Sequence, residues 1–186
     1  MVNVLKVIDS KQLDYSNCGT RSYKKGQILQ HKGDLNSKIY FIKKGLVKSY
    51  DIDKNGKAHI FMFASCGNSI YDPNSIDTNK PSELFIDVIE DSIIETINLK
   101  SFDSSSLSSK SKDLIIGILN SSVCELQSRV IKMMSSSTYE RYELFLKKYP
   151  HIANRIPQWM IASYLGITPE ALSNVKGKYY RQLKSA

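Results

Sequence analysis

The chain has 186 residues, 41% of them hydrophobic and 24% charged, with a net charge of +8. That is enough for one large domain or two small ones of ordinary soluble composition, and no run approaches the ~18 apolar residues of a membrane span. Cys18, Cys66 and Cys124 are odd in number, far apart and without a CxxC pair, which suggests neither a disulfide framework nor a zinc knuckle and fits a reducing cytoplasm.

The first twenty residues carry little signal. MVNVLKVIDSKQLD lacks an apolar run followed by small residues, so a secretory signal is not expected. VLKVIDSKQL could form a short helix. From Tyr23 the pattern changes to short apolar or alternating runs: QILQHKG, KIYFIKKG, LVKSYDID, KAHIFMF, LFIDVIE and SIIETINL. Gly26, Gly33-Asp34, Gly45 and Asn55-Gly56 punctuate them. Several short strands at near-regular spacing predict an antiparallel sandwich or barrel, most simply a small double-sheet jelly roll. Asp53-Lys54-Asn55-Gly56 reads as a hairpin whose Asn-Gly suits a type I′ turn.

Ser101–Ser109 is Ser-rich around Phe102 and Leu107 and reads as a short helix or turn. A long helical pattern follows from Lys112 to about Met134. Ile116, Leu119, Val123, Leu126, Val130 and Met133 fall at spacings of 3, 4, 3, 4 and 3, a heptad seam of the kind that pairs two parallel helices. A core helix lying across the sheet is the alternative, and would also use Leu114, Ile115 and Ile118. Ser137-Thr138-Tyr139-Glu140 is a capping box, so a new helix starts there. It should run to about Lys148 with Tyr142, Phe145, Leu146 and Tyr149 inward, and Tyr149-Pro150 should close it.

PQWMIASYLGITPEALSNVKGKYYRQL, Pro157 to Leu183, reads as two helices joined by a tight turn. Pro157 suits a first helical position. Met160, Ile161, Tyr164 and Leu165 form one apolar face, and Gly166 supplies a left-handed C-terminal cap. Thr168 is the N-cap of the second helix, with Pro169 and Glu170 behind it. Ala171, Leu172, Val175 and Tyr179 face inward. Ser173, Asn174, Lys176, Lys178 and Arg181 face outward. Small Ala162, Gly166 four residues on and Ile167 plugging the turn match a helix-turn-helix, whose second helix enters the DNA major groove. An ordinary helical hairpin is the alternative. Charge supports the first: residues 129–186 hold ten Lys or Arg against three Asp or Glu, whereas residues 1–128 are nearly balanced at sixteen against fifteen. A localised basic field fits a polyanionic partner. Gly177, costly inside a helix, marks either the end of the regular helix or a close approach.

This order of parts resembles the cyclic-AMP receptor protein and fumarate-nitrate regulator family of bacterial transcription factors, over about residues 20–183. Gly26, Gly33-Asp34, Tyr40-Phe41-Ile42, Gly45 and Gly56 look like that family's N-terminal roll. ERYELFLKKYP and RIPQWMIASYLGITPEALSNV look like its DNA-binding end. The resemblance implies an α+β fold in three parts: a β-roll sensor-like domain over 1–109, a long dimerisation helix over 110–136, and a winged helix-turn-helix-like domain over 137–186. It implies a cytoplasmic homodimer acting on double-stranded DNA and RNA polymerase, with no membrane partner and no catalytic activity. Thr168, Pro169, Ser173, Asn174, Lys176, Lys178 and Arg181 are the expected DNA contacts; the family's cyclic-AMP member has Arg where Pro169 and Asn174 stand. A scaffold with a vestigial DNA end is the rival reading.

The departures shape the sensor expectation. Nucleotide-binding members carry a Gly-Glu pair and then an Arg after a Pro, for the ribose and the cyclic phosphate. The matching positions here, in CGNSIYD and NKPSELF, are Tyr71, Asp72 and Ser82. Ser82 supplies no cation for a buried phosphate, so this effector pocket is expected to be degenerate and cyclic AMP is not expected to bind. Lys80 reads as a surface-loop residue rather than a substitute. Iron-sulfur members need four thiolates, and three scattered Cys cannot supply them. His31, His59 and Cys66 are only nominal ligands for a haem or a cupin-type metal. No cofactor is predicted, and the effector, if one exists, is unknown.

Overall fold

The computed structural model describes residues 19–35, 38–76, 80–98 and 109–185. The expected helix in VLKVIDSKQL and most of the Ser101–Ser109 stretch lie outside them. One compact unit ends at Ser121 and a second begins at Ser122.

Six strands and one short helix build the described part of the first unit: β1 (Gly19–Tyr23), β2 (Ile28–Gln30), β3 (Lys38–Ile52), β4 (Ala58–Ser65), β5 (Ser69–Ile70), α1 (Pro73–Ile76) and β6 (Phe85–Asn98). Every pairing is antiparallel, and β3 pairs with β6 along most of both strands. The early half of β3 is flanked by β5 and by the late half of β6, which also holds β1. The late half of β3 is flanked by β4 and by the early half of β6, which also holds β2. Two long strands shared in this way give the jelly-roll-like arrangement its two layers. Tyr40, Ile42, Val47, Ala64, Ile70, Ile86, Val88 and Ile94 from both halves make one buried cluster. Across the pair, Lys48 stands opposite Asp87 and bonds it at 2.9 Å.

The sequence reading broke β3 and β6 into four strands; each pair is one. Gly45 is a bulge within β3 instead of a turn after it. Its φ is +101, and a Cβ there would sit 2.1 Å from Ser92 Oγ on β6. The pairing shifts register on both sides of it, as a bulge requires. The Ser92 hydroxyl accepts from the Leu46 amide at 3.2 Å and donates to the Glu90 carbonyl at 2.6 Å. The β3–β4 turn also differs from expectation. Gly56 has φ +78 and no non-glycine described residue has positive φ, whereas type I′ needs positive φ at both Asn55 and Gly56. The Gly56 amide bonds the Asp53 carbonyl at 2.9 Å and the Asp53 amide bonds the Lys57 carbonyl at 3.0 Å. That is a three-residue loop with the left-handed Gly as a bulge. Asp53 Oδ1 holds it by accepting from the amides of Asn55 and Lys57.

Helix α2 (Ser109–Ser135) runs across the division between the units, and α3 (Thr138–Lys148), α4 (Gln158–Leu165) and α5 (Pro169–Ser185) follow. No strand joins these helices among the described residues. Of the expected seam, Ile116, Val123, Leu126, Val130 and Met133 are exposed, from 37% at Leu126 to 62% at Val123. The side chain of Leu119 lies outside the described set, as do those of Leu114, Ile115 and Ile118. Helix α3 carries the capping box that the sequence predicts: Ser137 Oγ accepts from the Glu140 amide and Glu140 Oε2 from the Ser137 amide at 2.7 Å. It ends at Lys148 with Tyr149 as its C-cap. Tyr142, Phe145, Tyr149, Tyr164 and Leu172 are buried together with Ile161 and Ala162. Ring centroids 5.4–5.6 Å apart join Phe145, Tyr149 and Tyr164, and Tyr142 to Tyr179, within the range where aromatic pairs add to burial. Burial, with the neighbouring Tyr180 and Tyr179, pushes the Tyr142 phenol up to about 12. Among the described residues no helix is long and apolar enough to cross a membrane.

Candidate nucleic-acid interface and effector pocket

Gly166 ends α4 with φ 66 and ψ 38, and the Ile167 amide bonds the Ala162 carbonyl at 3.0 Å. Pro157 is the N-cap of α4, one position before its expected place, because its ψ of 146 is extended. Ala162 is almost fully buried, so its small side chain sits at the helix crossing. Thr168 Oγ1 then caps α5 by accepting from the Ala171 amide at 3.2 Å, and the Thr168 carbonyl takes the Leu172 amide. A left-handed glycine and a threonine cap two residues apart fix a tight turn between two helices. The Glu170 carboxyl is held below its usual range by its own backbone amide and by the Thr168 hydroxyl.

The two faces of α5 separate as the spacing predicts. Leu172 is fully buried, and Ala171, Val175 and Tyr179 are half-buried. Thr168, Pro169, Ser173, Asn174, Lys178 and Arg181 are exposed. Lys176 is different. At 100° per residue it falls on the shoulder toward α4, where its ammonium donates to Gln158 Oε1 at 2.9 Å. Lys178 Nζ stands 5.4 Å over the Tyr139 ring, and Arg181 Nε donates to the Gly177 carbonyl at 3.2 Å. The helix runs straight through Gly177 to Ser185, so this glycine does not end it. A Cβ at Gly177 would meet nothing within 4 Å. Sequence reasoning overlooked Trp159, which is 45% exposed in the first turn of α4. Its place outside the Met160–Ile161–Tyr164–Leu165 face was the available signal.

The three positions matched to the effector cassette lie in the first unit. Tyr71 is half-buried, and loss of solvent raises its phenol above the ordinary value. Asp72 is 1% exposed and its carboxylate is fully engaged with the backbone. Oδ1 accepts from the Asn74 amide at 2.9 Å, which caps α1, and Oδ2 accepts from the amides of Glu83 at 2.6 Å and Leu84 at 2.8 Å. Three amide donors on one buried carboxylate compensate its desolvation. Ser82, 3% exposed, donates its hydroxyl to the His31 carbonyl at 2.6 Å and its amide to the Asp34 carbonyl at 2.9 Å. The Asp72 carboxylate and the Ser82 hydroxyl are therefore partnered inside the protein, and Asp72 already occupies the amides of Glu83 and Leu84. The nominal metal ligands stand apart from one another's chemistry. His59 bonds Asp53, His31 packs against Phe85, and the Cys66 thiol donates to the Lys43 carbonyl.

The comparisons with known proteins agree with this architecture. A family model described as a cyclic nucleotide-binding domain matches residues 20–105. The fumarate and nitrate reduction regulatory protein of Yersinia pestis is 26% identical over 91% of this chain and 72% of its own length. The anaerobic regulatory protein of Haemophilus influenzae is 24% identical over 91% of this chain and 70% of its own. Among solved structures, FixK2 from Bradyrhizobium japonicum superposes with a TM-score of 0.75 at 18% identity, covering 89% of this chain and 85% of that one. A CooA mutant from Carboxydothermus hydrogenoformans does so at 0.72 and 16% identity, covering 97% and 85%. The fold is thus the one these solved structures share. Over most of its length the chain resembles regulators of the Crp/Fnr family.

Proposed function

We propose that this protein is a homodimeric, sequence-specific DNA-binding transcriptional regulator whose β-roll is a degenerate sensor that does not take cyclic AMP. The observation that carries the reading is α5 itself. Its inward face is buried by Leu172, while Ser173, Asn174, Lys178 and Arg181 remain exposed on a helix capped by Thr168. Ser173 and Asn174 suit base edges, Asn pairing with adenine in bidentate fashion. Thr168 and Pro169 suit the groove edge, and Lys178 and Arg181 suit phosphates, which position without specifying. Lys176 reaches guanine only if it leaves Gln158. Gly177 supports a close approach, since no protein group fills the space beside it. The exposed apolar seam of α2 supports pairing with a second copy, and RNA polymerase is proposed as a further partner.

The test is DNA binding against salt. A preferred site is selected from a random duplex pool, and affinity is measured by fluorescence anisotropy at several salt concentrations. The reading expects a two-fold repeat with half-sites about one turn, ~34 Å, apart, and affinity that falls steeply with salt. A scaffold with a vestigial DNA end would bind weakly, without enrichment of any sequence.

A further inference from the structure

The second unit contains a cleft that the DNA-binding reading does not use. It has a volume of about 440 Å³ and lies between the last turns of α2 and the helices α3 and α4. That volume is within the range of small-molecule sites, ~300–1,000 Å³. Met133, Leu144, Phe145 and Leu165 supply an apolar lining. Around it stand Arg129, Lys132, Arg141, Lys147 and Lys148 against the single carboxylate of Glu125. Glu125 is paired with Lys148. Two of the cations are held in place by α4: Arg129 Nη2 bonds the Tyr164 carbonyl at 3.3 Å and Arg141 Nη1 the Leu165 carbonyl at 2.9 Å. Arg141 Nε is buried and without a hydrogen-bond partner. Five cationic side chains against one paired carboxylate leave the lining net positive, which favours an anion in the cleft.

We propose that this cleft binds a small amphipathic carboxylate, its chain or ring on the apolar lining and its charge beside Arg141. Charge complementarity selects an anion, and the lining selects one with an apolar body. At 100° per residue, Glu125, Ser128 and Lys132 lie roughly 130–170° around α2 from the Val123–Leu126–Val130 line, and only the Met133 end of the seam borders the cleft. A ligand there would touch α2, α3 and α4 at once. Occupancy would therefore tie the long helix to the helix pair that presents α5, giving the second unit an effector site of its own.

Calorimetric titration of the full chain tests this, with dodecanoate below its micelle concentration as the probe. Dodecyltrimethylammonium, of equal chain length but opposite charge, and inorganic phosphate, an anion without a tail, are the controls. Dodecanoate should saturate at one molecule per chain and bind at least about tenfold tighter than either control, the size of effect expected for a charged hydrogen bond. Ser128→Trp fills the cleft from an exposed position on α2 and should abolish binding. Arg141→Lys should weaken it about tenfold, because an ammonium does not replace a guanidinium held through its fork. Val123→Lys with Leu126→Lys should leave it unchanged. Equal binding of dodecanoate and either control would overturn the proposal. So would dodecanoate binding that survives Ser128→Trp, or that is lost only in the seam variant.

Discussion

Gly45 and Ser92 illustrate how a single position fixes the roll. The left-handed φ and the 2.1 Å approach leave no room for a side chain, and both strain and overpacking oppose one. Gly45→Ala should cost about 2–5 kcal/mol in urea unfolding; a neutral result would mean the bulge relaxes freely. Asp72 is the second decisive residue. With its carboxylate on the amides of Asn74, Glu83 and Leu84, micromolar cyclic AMP should produce no saturable heat in calorimetry. Tight binding would mean that the carboxylate gives up those amides to the phosphate. Glu140 gives a pH prediction. The Ser137 amide, then the Ser137 hydroxyl, holds its carboxyl below the ordinary value of 4.5. The cap is thus fully formed above that value and lost as pH falls through the lower folded value. Glu140→Gln cannot titrate, so its difference from wild type in urea midpoint should be largest above about pH 5 and shrink below about pH 4. A difference constant across that window would remove Glu140 as the cause.

At the scale of elements, α2 presents Val123, Leu126 and Val130 to solvent in one line. Exposed apolar patches of this kind mark interfaces, and a charge in a heptad seam is strongly unfavourable. Val123→Lys with Leu126→Lys should convert a dimer to monomers in sedimentation. A persistent dimer would move the interface to another surface. The helices were legible in the sequence because their ends are local events. Ser137 and Glu140 start α3, Tyr149-Pro150 closes it, and Gly166 with Thr168 sets the α4–α5 turn. The strands were less so. Gly45 has the local signature of a turn, and what makes it a bulge is Ser92, which is near it only after β3 and β6 have paired. Asn55-Gly56 fails in a related way, since the dipeptide permits type I′ but the Asp53 side chain favours a loop one residue longer. Lys176 could be placed on α5 but not paired with Gln158, because that bond depends on how α4 crosses α5.

For the molecule as a whole, the basic excess of residues 129–186 was legible from composition, whereas the cleft between α2, α3 and α4 was not, because three separate helices form it. In the proposed function α5 reads sequence, with its residues divided by role. Asn174→Ala removes a side chain suited to a base edge and should reduce preference for the selected site over scrambled DNA by about 1–3 kcal/mol. Arg181→Ala should weaken both DNAs alike and lower the salt slope by about 1, as loss of one phosphate contact does. Measuring both variants on the selected and scrambled duplexes at several salt concentrations tests this most directly. The predicted result is a loss of discrimination in the first variant and a uniform, salt-dependent loss in the second. Equal weakening of both duplexes by Asn174→Ala, with discrimination intact, would contradict the assignment and place this face of α5 against the backbone alone.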